Sequence, residues 1–359
     1  NQAGKNGGCM SFGDDTNINI SSCILDKNIA NQSGGIMYMK TRSYMHLVRN
    51  TTITNNKAIY RDGGGFYNLA IYNIVSTTIH NNSARENGGF LYVDMMYENK
   101  LRIIQSSFRN NIAKTKSGGV MIIHNVLPDG LFVDIEGTQY VQNQAGMSGG
   151  MMQINGSNLR FSVLNSTLIG NTASNGDGGC IRGRSDITMD IRRTNIVSNQ
   201  AGTNGGCMSF GEDTNINISS SILDQNIANQ SGGIMYAKTR SYMHLVRNTT
   251  ITNNKALYRD GGGFYNLAIY NIELTKIHKN SARENGGFVY VEMMYENKLR
   301  IIQSSFQSNI AKTKSGGVMM IHNVLPDGLF VDIEGTHYVE NKAGMSGGMM
   351  QINGSNLRF

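Results

Sequence analysis

Residues 108–123 read Phe108-Arg-Asn-Asn111-Ile-Ala113-Lys-Thr-Lys-Ser117-Gly-Gly-Val120-Met-Ile-Ile123. An apolar residue stands three before an Asn, an Ala two after it, and a polar link then leads to Gly-Gly and another apolar residue. This phrase occurs thirteen times, the first copy beginning at its Asn. The recurring asparagines are Asn1, Asn28, Asn56, Asn82, Asn111, Asn143 and Asn171, then Asn199, Asn226, Asn254, Asn280, Asn309 and Asn341. Their spacing runs 27, 28, 26, 29, 32, 28, 28 and then starts again. A period near 28 with Gly, Asn and β-branched residues at fixed offsets marks a solenoid, whose repeats bury their faces on their neighbours.

A longer period is nested over the first. Asn1 to Phe161 returns as Asn199 to Phe359 with 18 changes. The reading is therefore one continuous solenoid of 13 coils, with a first seven-coil tandem unit over 1–198 and a second, incomplete one over 199–359. It opens in mid-motif and stops in mid-coil, which predicts an excerpt from a longer array or one segment of a filament. At about 4.8 Å per coil, thirteen coils would span roughly 60 Å.

Aligning the copies turns them into columns. Three residues before the Asn stand Leu25, Ile53, Ile79, Phe108, Tyr140, Leu168 and Ile196, all large. Two residues earlier stand Cys23, Thr51, Thr77, Ser106, Thr138, Ser166 and Thr194, which strand alternation places on the same inward face. After Gly-Gly come Cys9, Ile36, Phe66, Phe90, Val120, Met151 and Cys180, a third core column. Gly-Gly supplies backbone angles that other residues resist, so the chain can corner there. No stretch carries a helical apolar period. The fold class is all-β, a parallel β-helix.

The Asn column predicts an amide ladder. An Asn side chain donates to and accepts from backbone groups at a turn, and stacked amides bond one another. Replacing Asn111 with Leu should cost roughly 1–3 kcal/mol.

The pairing of Gly-Gly-apolar with Phe-x-x-Asn, clearest in Phe108-Arg-Asn-Asn111 and Gly118-Gly-Val120, resembles the repeats of the chlamydial polymorphic outer-membrane proteins and the wider right-handed parallel β-helix repeat group. The resemblance covers the chain coil by coil. It implies right-handed coils, in keeping with the general handedness of parallel crossovers. It also implies the elongated passenger of a surface-displayed adhesin, extracellular and non-catalytic.

Net charge is +7, from 32 Lys and Arg against 25 Asp and Glu. These charges are scattered, which predicts solubilising charge and no nucleic-acid partner; weak affinity for acidic polysaccharide is the alternative. No apolar run is long enough for a membrane-spanning helix. Nothing points to a cofactor or a metal.

Ten Asn-x-Ser/Thr sequons, Asn19, Asn31, Asn50, Asn81, Asn155, Asn165, Asn217, Asn229, Asn248 and Asn353, predict N-linked glycans on a secreted chain. None uses a ladder Asn, because Ala fills its +2 position. Cys180 and Cys207 share a column on successive coils, close enough for a disulfide; two reduced core thiols are the alternative. Cys23 is replaced by Ser221 in the second copy, which predicts a small buried side chain.

Carboxylates that a β-helix hydrolase would need are Asp94, Asp134, Glu136, Asp186 and Asp190, with Pro128-Asp-Gly130 as the best loop for a site. Asp94 becomes Glu292 in the second copy. The histidines His46, His80 and His124 recur at His244, His278 and His322 without a shared offset. The favoured reading is a non-catalytic extracellular structural glycoprotein, a rigid stalk or filament subunit. Its partners would be further copies of itself, end to end or side by side, through open strand edges. The alternatives are an adhesin binding glycans or host proteins through its outward loops, and a carbohydrate-active enzyme.

Overall fold

The computed structural model describes Asn1–Phe359 and contains strands, bends and turns but no helix. It forms two compact units, Asn1–Arg184 and Ser185–Phe359. Each is a parallel β-solenoid, and the strand ending in the Ala that follows a ladder Asn occurs seven times in the first and six times in the second.

One turn of the first unit explains the rest. After Asn111 come a short alanine strand, Ile112–Ala113, and a polar link. Gly118-Gly119 then turns the chain into Met121–Asn125. The Pro128 loop leads to the long strand Leu131–Glu136, and a last bend to Gln139–Val141. Every strand pairs in parallel with its counterpart one turn on: Ala113 opposite Ala145, Met121 opposite Met152, Ile135 opposite Val163, Tyr140 opposite Leu168. Period-2 alternation is plain in Leu131–Glu136, where Leu131, Val133 and Ile135 are buried and the residues between them are not.

The chain corners three times per turn: at Gly-Gly and beside the ladder Asn, as the sequence suggests, and also just before the Thr/Ser column. Gly118, Gly137 and Gln142 all have left-handed backbones, with φ of 70°, 58° and 55°. The second and third corners are usually built by residues other than Gly, such as Asn50 and Asn55 at 49° and 57°, or Leu274 and Lys279 at 50° and 55°. The left-handed conformation costs an ordinary residue about 1–2 kcal/mol, so something must hold it there.

What holds it is a ladder of polar side chains beside each corner. At the Asn corner, Asn111 is fully buried. Its Nδ2 donates to Ile79 O at 2.8 Å and to Asn143 Oδ1 at 3.0 Å. Its Oδ1 accepts from the backbone N and the Nδ2 of Asn82, at 3.1 and 3.0 Å. All four hydrogen-bonding positions of the amide are used. The pattern recurs through Asn56, Asn82 and Asn143, and in the second unit through Asn226, Asn254, Asn280 and Asn309. Inner members are almost wholly buried, while Asn1 and Asn341 retain exposure in outermost turns.

At the Thr/Ser corner the hydroxyls donate to the carbonyl two residues back, and several also accept from the backbone N of the adjacent turn. Thr138 Oγ1 donates to Glu136 O at 3.0 Å and receives Ser106 N at 3.3 Å. A third ladder stands before Gly-Gly and was not foreseen. Asp62 Oδ1 accepts from Asn87 N at 2.9 Å, Asn87 Oδ1 from Ser117 N at 3.2 Å, Ser117 Oγ from Ser148 N at 3.3 Å, and Ser148 Oγ from Asp177 N at 3.1 Å.

Gly-Gly serves two purposes. The first Gly takes the left-handed corner, and the second permits close approach: a Cβ on Gly119 would lie 2.0 Å from Gly150 O of the next turn.

The inward columns are buried as expected, with Ile53, Ile79 and Phe108 inaccessible. Three members in the first turn are not. Leu25 is half-buried, and Cys9 and Cys23 are exposed, because only one side of that turn is covered by a neighbour. The counterparts of the two cysteines in the next turn, Ile36 and Thr51, are buried. Cys23 belongs to the hydroxyl ladder, its Sγ lying 3.1 Å from Ser21 O, as Ser221 Oγ lies 2.7 Å from Ser219 O. This explains the Cys-to-Ser exchange. Cys180 is buried in the first unit and Cys207 in the second.

Tyr140 departs from the apolar rule of its column. Its ring stacks on Phe108 at 4.7 Å, but its buried hydroxyl has no hydrogen-bond partner. Burial also pushes its phenol pKa far up.

Two outcomes follow. Asn111→Leu strands the Ile79 carbonyl and both donors of Asn82, and should lower stability by about 3 kcal/mol in denaturant titration; no change would show the ladder is dispensable. Tyr140→Phe removes the unpaired hydroxyl and should leave stability unchanged or raise it by about 1 kcal/mol. A loss of 2 kcal/mol or more would mean that the hydroxyl is engaged.

Candidate binding groove

With the interior filled, chemistry is left to the outer faces. The candidate carboxylates do not converge. Asp134 lies on the long sheet beside Arg102 of the adjacent turn, Oδ2 to Nε 3.6 Å, and Glu136 follows it on the same face. Asp94 is exposed on a different sheet, the one that follows Gly-Gly. In the second unit Asp186 occupies an exposed left-handed bend and Asp190 is ion-paired with Arg192. The second copy of Asp134, Asp332, again faces an arginine, Arg300, at 3.4 Å.

The histidines take separate roles. His46 Nδ1 is 3.6 Å from Glu98 Oε1, inside a cluster with Tyr44 and Tyr72. The loop that carries Glu98 reaches back across two turns, where Tyr97 Oη accepts from Arg42 N at 2.9 Å. The second unit repeats this clasp, with Arg240 N donating to Tyr295 Oη at 2.7 Å. His80 Nε2 lies 3.0 Å from Ser107 Oγ and His278 Nε2 lies 2.9 Å from Ser305 Oγ. No group of three or more His, Cys, Asp or Glu side chains is placed to hold a metal ion.

None of the ten sequon asparagines is buried. Asn19, Asn50, Asn81, Asn165, Asn248 and Asn353 are exposed, and Asn31, Asn155, Asn217 and Asn229 are half-buried. Asn50, Asn81, Asn165 and Asn248 sit at left-handed corners, which turns their side chains outward more directly than strand alternation would. The Pro128 loop closes with Gly130 N donating to Leu127 O at 2.8 Å, leaving Pro128 and Asp129 exposed.

The sheet after Gly-Gly carries a surface feature that sequence reasoning missed. Its outward column holds Tyr38, Tyr67 and Tyr92 on successive turns, with ring centroids 5.0 and 4.8 Å apart and planes within 6° of parallel. The second unit repeats it in Tyr236, Tyr265 and Tyr290. Stacked this way the rings cover one another's faces and present edges and hydroxyls to solvent. The signal was a Tyr at a fixed offset after Gly-Gly in three successive repeats.

Where the tyrosine column ends, a groove begins. The next residues in register are Ile122, Gln153 and Arg182. They do not continue the stack, and a groove of about 500 Å³ opens over them in the first unit. One wall is the polar link of each turn, including Lys116, Met147 and Asp177; the far side carries His124, Asn155 and Arg184. His124 tilts against Tyr92, 5.1 Å between ring centres. Gln153 Nε2 donates to Asn155 Oδ1 at 2.7 Å, and Asn155 Nδ2 lies 3.4 Å from His124 Nδ1.

No protein family, curated protein or solved structure matches this chain.

Burial, helped by nearby cations, holds the imidazoles of His80 and His278 below their ordinary pKa. The unfolded chain therefore binds more protons than the folded one once pH drops below about 6.5. The stability these groups contribute is complete above that value and is lost as pH falls through their lowered folded values. The double variant His80→Gln, His278→Gln should flatten the decline in Tm between pH 7 and pH 5. An equally steep decline in the variant would assign it to other groups.

Proposed function

We propose that this chain is a non-catalytic structural glycoprotein of the cell surface or of secreted fibres, a rigid stalk or filament-forming β-solenoid. The observation that carries this reading is the three-fold system of side-chain ladders, repeated turn after turn within each unit. Every bend is tied to its neighbour by buried hydrogen bonds, a construction suited to stiffness.

The differences between the two sequence copies support the same reading. No ladder Asn and no Gly of a Gly-Gly pair changes between them. Many exchanges fall on outer corners and faces, as at Ser76/Leu274, Asn81/Lys279, Thr78/Lys276 and Gln142/Glu340. A scaffold needs its frame kept and tolerates drift outside it. A catalytic carboxylate would tolerate the Asp94-to-Glu292 exchange poorly. The accessible sequons support secretion and decoration with N-linked glycans, and open strand edges would let copies add end to end.

A second reading is an adhesin that contacts host glycans or proteins through outward loops. The exposed Pro128 and Asp129, with their second copies Pro326 and Asp327, favour it, as does the resemblance to surface-displayed repeats.

Electron microscopy of native material distinguishes the two. Periodic fibres are expected, and isolated stalks on a cell envelope would favour the adhesin. Peptide mapping after deglycosylation is expected to find modified sequons, and unmodified Asn31, Asn50 and Asn155 would remove the secretion argument.

A further inference from the structure

Seven Asn-Gly steps occur in the chain. Such a step can modify itself, because Gly places no side chain between its own backbone N and the Asn side-chain carbonyl. Four of them, at Asn6, Asn87, Asn204 and Asn285, belong to the ladder before Gly-Gly, and these are locked. Asn87 Oδ1 accepts from Ser117 N at 3.2 Å, and Gly88 N donates to Ser117 O at 3.0 Å. Gly7, Gly205 and Gly286 N donate in the same way to Ser33, Ser231 and Ser315 O at 2.9–3.0 Å.

Asn155-Gly156 is built differently. It follows the strand Met152–Ile154 and lies outside regular structure. Gly156 N donates to no acceptor. Gln153 Nε2 donates to Asn155 Oδ1 at 2.7 Å, while Asn155 Nδ2 meets only His124 Nδ1, at the long distance of 3.4 Å. Gln153 Oε1 and His124 Nε2 are buried without partners, so no competing hydrogen bond draws either side chain away. The second copy repeats the arrangement: Gln351 Nε2 donates to Asn353 Oδ1 at 2.9 Å, and Gly354 N is again free. Asn175 shares only part of it. Gly176 N is free, but Asn175 Nδ2 is held by Gly146 O at 3.0 Å and nothing donates to its Oδ1.

We propose that Asn155 and Asn353 are sites of spontaneous deamidation. A solvent base takes the proton of Gly156 N, which attacks Asn155 Cγ. Negative charge builds on Oδ1, where the Gln153 amide already donates. The N–Cγ bond forms, the Cγ–Nδ2 bond breaks, and ammonia leaves with a proton from water. Water then opens the succinimide at either carbonyl, giving aspartate or isoaspartate. The product sets a carboxylate in the groove lined by Lys116, Arg182 and Arg184. Isoaspartate also adds a methylene to the main chain directly after the buried Ile154. Both asparagines are sequons, so a glycan on the amide nitrogen blocks the loss of ammonia. The step does not rest on the stalk or filament reading.

The test follows the full chain, produced without glycosylation, by peptide mapping over time at mildly alkaline pH. Asn155 and Asn353 should deamidate at least about tenfold faster than the four ladder asparagines, which must first open their hydrogen bonds. Gly156→Ala is no clean probe, since the added Cβ would clash with Val126 Cγ2. Gln153→Glu keeps the shape but cannot donate when ionised, and should slow Asn155 about tenfold, to the pace of Asn175. Asn353 in the same molecule is the reference and should not change, and a thermal melt should confirm that the variant folds. Equal rates at all seven steps of the folded chain would overturn the proposal. So would Asn155 and Asn353 that stay intact in the folded chain but deamidate once it is denatured. An Asn155 rate unmoved by Gln153→Glu would remove the amide donor from the mechanism.

Discussion

A solenoid turn has to change direction several times, and at each bend the backbone leaves the strand geometry in which its N–H and C=O groups pair most readily. The rest of this structure depends on how those groups are satisfied. The Asn, Thr/Ser and pre-glycine ladders give the solution: at each corner a short polar side chain completes the hydrogen bonding and links one turn to the next. A fully used amide such as that of Asn111, with two donors and two acceptor positions engaged, offsets the cost of the left-handed residue before it. The apolar columns can then fill the interior without strand alternation having to persist around the bend.

The parts legible in the sequence were those for which one residue type is nearly obligatory. Gly-Gly, the ladder Asn and the following Ala are invariant across the copies, and the parallel β-helix follows from their spacing. The corner before the Thr/Ser column was hidden, as was the left-handed residue that forms the Asn corner, because these residues are chemically miscellaneous: Lys27, Gln105 and Leu274 carry no shared signal. The ladder before Gly-Gly was hidden for the same reason. Asn, Asp and Ser all fill it, since the only requirement is an acceptor atom of short reach.

Surface features were less legible again. The sequence showed carboxylates, histidines and sequons but not which sheet each would occupy, and Asp94 and Asp134 proved to lie on different ones. The groove depends on what stops rather than what repeats. A column of tyrosines gives way to Ile122, Gln153 and Arg182, and the unpaired atoms of His124 and Gln153 become apparent only once neighbouring turns are in place.

The second Gly of each pair has a consequence for the fragility of the fold. In the first unit a methyl group on Gly35, Gly64, Gly89 or Gly119 would sit 2.0–2.1 Å from a carbonyl oxygen of the following turn, with backbone on the opposing side. Most globular proteins concentrate their lethal substitutions in a compact centre whose share of the chain is limited. Here every added turn brings another site where one nucleotide change wedges two layers apart. The mutational target therefore grows in proportion to the number of turns, and a solenoid of many turns is no more tolerant of error than one of few.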